Sequence, residues 1–139
     1  MTALSNEEFA KAVDEIAAQT RGGRPVAYYD KDGDCIEFLA THANFWAERI
    51  DDLVTVYYDE QTDEVIGSLL KGVSTFIKKH PNCAICVEAG KVRLAHLFIA
   101  GGMLTEQAEK NKEFVVQIYR KLVRKAEETK AEAEIAGVC

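Results

Sequence analysis

No stretch of this 139-residue chain approaches the roughly 18 consecutive apolar residues of a membrane-spanning helix. Nor does it open on a cationic segment followed by an apolar run: MTALSNEEFAKAVDE is acidic, so a secretory leader is not expected. An excess of positive charge is missing too. The net charge is −6, which disfavours nonspecific nucleic-acid binding because phosphate contacts need a basic surface. A glycine-rich phosphate loop is absent, since Gly22-Gly23 follows a helix pattern instead of opening one. Ser68 and Ser74 lack a nucleophile-elbow context, and no second CxxC completes a four-cysteine zinc site. These absences disfavour membrane, secreted, P-loop and serine-hydrolase readings. They leave the expectation of a cytoplasmic chain whose four cysteines are reduced thiols.

What is present is the composition of a folded protein, 47% hydrophobic and 29% charged, in one domain over 1–139. Ser5 followed by Glu8 reads as a capping box, and Phe9, Val13, Ile16 and Ala17 recur at helical spacing. The pattern predicts an N-terminal helix over 5–21, closed by Gly22-Gly23 and Pro25. Residues 24–73 turn β-rich. VAYYD and CIEFLA flank one turn, DDLVTVYYD and EVIGSLL flank another, and each pair predicts a hairpin. THANFWAERI between them reads as an irregular crossing or edge segment, and Gly67 as a bulge or a close backbone approach.

Residues 74–103 predict mixed short elements. VSTFIKKHP reads as a short helix ended by Pro81. CAICVEAGKVRL (83–94) reads as a hairpin turning at Ala89-Gly90, with one buried helix as the alternative. LAHLFIAGG reads as a short buried helix that stops at its glycine pair. Over 104–136 a long helix carries the apolar stripe Val115, Ile118, Tyr119, Leu122, Val123 and Ala126. Beyond Ala126 the stripe is lost, which predicts a solvated end or a surface for another subunit. The expected fold class is therefore α+β: a small antiparallel sheet of consecutive hairpins, packed by an N-terminal and a long C-terminal helix.

Tyr28 to Phe38, YYDKDGDCIEF, begins like a calcium loop, with Asp30, Asp32 and Asp34 at alternate positions. Such a loop needs glycine at its sixth position and glutamate at its twelfth, and here those are Cys35 and Thr41. An echo, YYDEQTDEVIG from Tyr57, repeats the tyrosines and the bracketing aspartates but not the middle of the loop. The repeat predicts turn-shaping aspartates that accept backbone amides.

Tyr29-Asp30, Asp34, Ile36 and Phe38, then Glu48 to Asp52, then Val56, Tyr58-Asp59, Val65, Ile66 and Gly67, together resemble a family of short bacterial proteins of unknown function. The resemblance covers about residues 26–73. It implies a small antiparallel β-domain and, because some members accompany small toxin-like proteins, a partner-binding role. It brings no catalytic residue.

HPNCAIC places Cys83 and Cys86 in CxxC spacing with His80 three residues earlier, a set that could share zinc or form a redox pair. In so apolar a run the default is two small core residues. His42 and His96 have no ligand-spaced partner, and His96 reads as a core histidine. Glu37, Glu48, Asp52 and His42 would support an enzyme only if they converged in one polar pocket. Arg120, Lys121, Arg124 and Lys125 read as a solvated helix face, with an acidic partner or nucleic acid as the sharper alternative. The expectation is a non-enzymatic interaction or regulatory module that associates with itself or another protein, needing no cofactor. A zinc- or thiol-dependent protein built on the CxxC pair is the alternative.

Overall fold

The computed structural model describes residues 5–9, 11, 26–83, 85–88, 90–108 and 113–135. Residues 6–9 and 11 are helical, and the capping box forms: the Ser5 amide donates to Glu8 Oε2 and the Glu8 amide to Ser5 Oγ, each at 3.2 Å. The rest of the helix expected to residue 21 lies outside the described residues.

Five strands follow: β1 (Ala27–Asp30), β2 (Cys35–Leu39), β3 (Phe45–Arg49), β4 (Val54–Asp59) and β5 (Val65–Lys71). They form one antiparallel sheet in the order β1-β2-β5-β4-β3. Both expected hairpins, β1–β2 and β4–β5, are present. The apolar run VIGSLL explains why β5 takes the centre, between β2 and β4. Gly67 has both expected properties. Tyr57 pairs with Gly67 but Tyr58 pairs with Val65, so the register slips at this point. A Cβ on Gly67 would also stand 2.2 Å from the Phe38 carbonyl oxygen. THANFWAERI ends in a regular strand, β3, at the sheet edge.

Beyond β5 come α1 (Val73–Lys79), a 3-10 turn (Pro81–Cys83), β6 (Cys86–Glu88), β7 (Lys91–Arg93), α2 (Leu94–Ala108), α3 (Glu113–Thr129) and β8 (Glu132–Glu134). Within 83–94 a hairpin forms over the shorter span of β6 and β7, with Gly90 at φ +78° in its turn, while Cys83 belongs to the 3-10 turn and Leu94 to the next helix. One face of the sheet contributes Ile36, Phe38, Val54, Val56 and Leu70 to the core. Helix α3 lies over β5 with its stripe residues Val115, Ile118, Tyr119, Leu122 and Ala126 buried. Helix α2 packs along α3 and brings the Phe98 ring to 5.9 Å from that of Phe38.

Two expectations are corrected. Helix α2 does not stop at Gly101-Gly102 but runs through them to Ala108. Glycine costs helix stability, about 1 kcal/mol relative to alanine, but here it admits a neighbour. A Cβ on Gly101 would lie 2.6 Å from Tyr119 Cε1. The C-terminal helix does not reach 136 either. Lys130 takes φ +53°, its amide donates to the Glu127 carbonyl and the Ala131 amide to that of Ala126. This is a Schellman cap with lysine where glycine is usual. The tail then pairs as β8 with β7, burying Ala131, Ala133 and Ile135.

Candidate functional site

The aspartate turns repeat in three dimensions as they do in sequence. In the first, Asp30 Oδ1 accepts the Asp32 amide at 3.1 Å, and Asp34 closes the turn at φ +50°. In the second, Asp59 Oδ1 accepts the Gln61 amide at 2.7 Å, and Asp63 closes it at φ +57°. Each closing aspartate also holds an aromatic side chain. Tyr29 Oη donates to Asp34 Oδ1 at 2.6 Å, and Trp46 Nε1 donates to Asp63 Oδ1 at 3.0 Å.

Asp34 does more, because it caps α1 from another part of the chain. Gly72 stands at the helix N-cap without a side chain, and Asp34 accepts the Ser74 amide at 3.0 Å and its hydroxyl at 2.7 Å. Partial desolvation pushes the Asp34 carboxyl up, but hydrogen bonds from Tyr29 and Ser74 and the Lys78 charge outweigh it and leave the pKa lowered. The same carboxylate, with burial, raises the Tyr29 phenol to about 12. All of this is structural work at a turn.

A second clasp had no signal in the sequence. Asp51 Oδ1 accepts the amides of Leu53 and Val54, while its Oδ2 accepts Tyr119 Oη at 2.5 Å. Burial, then the Asp51 hydrogen bond, pushes the Tyr119 phenol far up. The β3–β4 turn is thereby fastened to α3.

The CxxC pair is divided. Cys83 ends the 3-10 turn with a free thiol, whereas Cys86 opens β6 and is disulfide-bonded. The expectation of four reduced thiols therefore fails at Cys86. His80 tilts its ring against Phe76, with centroids 4.8 Å apart. Among the described residues no three His, Cys, Asp or Glu side chains gather as a metal-binding group. Cys35 is a second free thiol, raised by burial and then by the Asp30, Asp34 and Glu37 charges.

The four polar candidates do not converge. Glu37 is exposed on the sheet face opposite Phe38, while Glu48 pairs with Val56 and shares the Phe38 face. Asp52 lies in the turn after β3, and His42 precedes that strand. An open hollow of about 400 Å³ holds His42 beside Asn44, Phe45 and Glu60, and none of the other three. His96 is half-buried on α2. Arg120, Lys121 and Arg124 are exposed on α3, and Lys125 pairs with Glu128 at 3.7 Å.

The most exposed strand of the sheet is β3. All five of its side chains are exposed, including Phe45 at 38% and Trp46 at 41%. Their rings stack on the neighbouring strand, Phe45 on Tyr57 at 4.2 Å and Trp46 on Tyr58 at 4.4 Å. Cross-strand aromatic pairs of this kind stiffen the edge. They also leave one flank of each ring open. The site is thus an aromatic edge of an antiparallel sheet in an α+β fold, unpaired on its outer side among the described residues. No family model, curated protein or solved structure matches the chain.

Proposed function

We propose that this protein is a non-enzymatic interaction module that self-associates, with its antiparallel sheet as the rigid centre. The observation that carries this reading is β3: a sheet edge with five exposed side chains, two of them aromatic. Free edge strands template pairing with another chain, and proteins usually blunt them with proline, lysine or a bulge. Strand β3 has no proline, lysine or bulge, and its pairing with β4 is regular along its length. Its two charges, Glu48 and Arg49, are of opposite sign and so do not repel a second copy as a lysine-rich edge would. The apolar stripe of the C-terminal helix, a contact expected from the sequence, is largely occupied within the chain, which supports the sheet as the contact instead. The acidic net charge of −6 favours a protein partner over a nucleic acid. Among the described residues no helix is long and apolar enough to cross a membrane. Light scattering of the full chain across a wide concentration range tests the reading. A mass that rises above the single-chain value with concentration is expected, and a strict monomer throughout would sink it.

A further inference from the structure

We infer that two copies of this chain join edge to edge through β3, antiparallel, with Ala47 on the two-fold axis. This rests on the self-association reading and gives it a surface, a register and a partner.

The ladder identifies which backbone groups are free. The Glu60 amide donates to the Asn44 carbonyl at 2.9 Å, and the Ile50 amide to the Val54 carbonyl at 3.0 Å. Both lie in the β3–β4 register, in which Trp46 faces Tyr58 and Glu48 faces Val56. Antiparallel pairs alternate between bonded and non-bonded positions. Asn44, Trp46, Glu48 and Ile50 therefore spend their main-chain groups on β4. Phe45, Ala47 and Arg49 direct theirs away from the sheet, a row of three donors and three acceptors.

Self-complementarity then selects the register. With Ala47 on the axis, Ala47 meets its copy, Phe45 meets Arg49 of the second chain, and Arg49 meets Phe45. Every outward group finds an outward group, six hydrogen bonds in all. The small methyl at the axis avoids a clash between identical side chains. Phe45 and Arg49 share one face, so each guanidinium reaches the open flank of a phenyl ring already backed by Tyr57. Arg49 Nε donates to the Asp51 carbonyl at 3.2 Å and the guanidinium lies 3.7 Å from Asp52, both contacts being exposed. The dimer uses the guanidinium face and leaves these weak surface contacts in place or exchanges them at little cost. On the other face Trp46 stands opposite Glu48. Moving the axis to residue 48 or 49 would oppose Glu48 to Glu48 or Arg49 to Arg49, and like charges directly opposite are unfavourable. The far edge of the sheet offers no equal choice, because β1 lies alongside β8. The product is a continuous ten-stranded sheet made from two five-stranded ones.

Sedimentation velocity on the full chain and its variants tests this. Ala47→Pro removes an outward amide and leaves the β4 ladder intact, so proline is tolerated there as on other edges. It should weaken dimerisation roughly tenfold or more, with circular dichroism unchanged and melting unchanged at concentrations low enough for wild type and variant both to be monomeric. Ala47→Cys, in a background with Cys35 and Cys83 replaced by serine, should cross-link to itself under copper-phenanthroline oxidation, since facing bonded residues lie within disulfide reach. Phe45→Cys and Arg49→Cys in that background should cross-link to each other when mixed and not to themselves. A dimer indifferent to Ala47→Pro would overturn the β3 interface while leaving self-association standing. A dimer lost in Ala47→Pro without the Ala47→Cys cross-link would overturn the register. A wild-type chain that stays monomeric at submillimolar concentration overturns both, including where β3 takes a strand from a different protein.

Discussion

Gly101→Ala sets two known effects against each other inside one helix. At an exposed helical position the change would stabilise by about 1 kcal/mol, since alanine is the better helix former. Here the new Cβ would stand 2.6 Å from Tyr119 Cε1 and 2.9 Å from its Cζ. The ring is held on both sides: Tyr119 is buried, and its hydroxyl is bound to Asp51 Oδ2. Overpacking costs about 1–3 kcal/mol. Moving the ring also breaks a hydrogen bond to a carboxylate, worth about 1.5–3 kcal/mol. The net expectation is a destabilisation of about 2–4 kcal/mol, a fall in melting temperature on the order of 10 °C for a chain of this size. Urea unfolding followed by far-UV circular dichroism measures it. Gly102→Ala is the internal control, because its Cβ would meet Tyr119 Cβ at 3.2 Å and Cγ at 3.6 Å, with no contact under 3.0 Å. There the propensity gain and the tight contact should cancel to within about 1 kcal/mol. Tyr119→Phe keeps the ring carbons and should not rescue Gly101→Ala, whereas Tyr119→Leu should. A Gly101→Ala variant more stable than wild type would refute the close approach and with it the explanation of the glycine pair.

Asp34→Ala removes three acceptor bonds and a residue suited to positive φ, so a loss of about 3 kcal/mol is expected by denaturant titration. The Asp34 pKa is lowered on folding, so its contribution is full above the unfolded value of 3.8 and is lost as pH falls through the lower folded pKa. The gap between wild type and variant should therefore close in acid, and ultraviolet titration should show the Tyr29 phenol falling from about 12 towards 10 in the variant. Ser68 Oγ is fully buried without a hydrogen-bond partner among the described residues, so Ser68→Ala should raise stability by about 1 kcal/mol. A loss on that substitution would mean that the hydroxyl is satisfied. In unreduced protein, iodoacetamide followed by peptide mass analysis should label Cys83 and, more slowly, Cys35, whose thiol burial and nearby carboxylates push up. Labelling of Cys86 before reduction would contradict its disulfide.

What could be read in advance follows how far apart the interacting residues are. The capping box, the two aspartate turns and the hairpins around them are local, and Asp30 and Asp59 accept amides two residues on because the intervening chain permits little else. The Asp51–Tyr119 bond joins residues 68 apart, and neither residue carries a local mark of it. Glycine pairs are ambiguous for a related reason. The same letters stop a helix or admit a ring, and only the position of Tyr119 decides between them. The tail misled in the opposite sense, because Lys130 accepts the left-handed conformation usually advertised by glycine, leaving no written stop before β8. The candidate site sits between these cases. FWAER shows no strand alternation, so THANFWAERI reads only as an irregular crossing or edge segment, and the regular edge strand comes from its pairing with β4. Which of its residues turn their backbone outward could not be read either, since a slip of one residue would exchange Phe45, Ala47 and Arg49 for Trp46 and Glu48. In that slipped register the free edge would pair at residues of bulk and negative charge, with no small residue for an axis. The observed pairing of Phe45 with Asp59 is what turns an exposed strand into a self-complementary one.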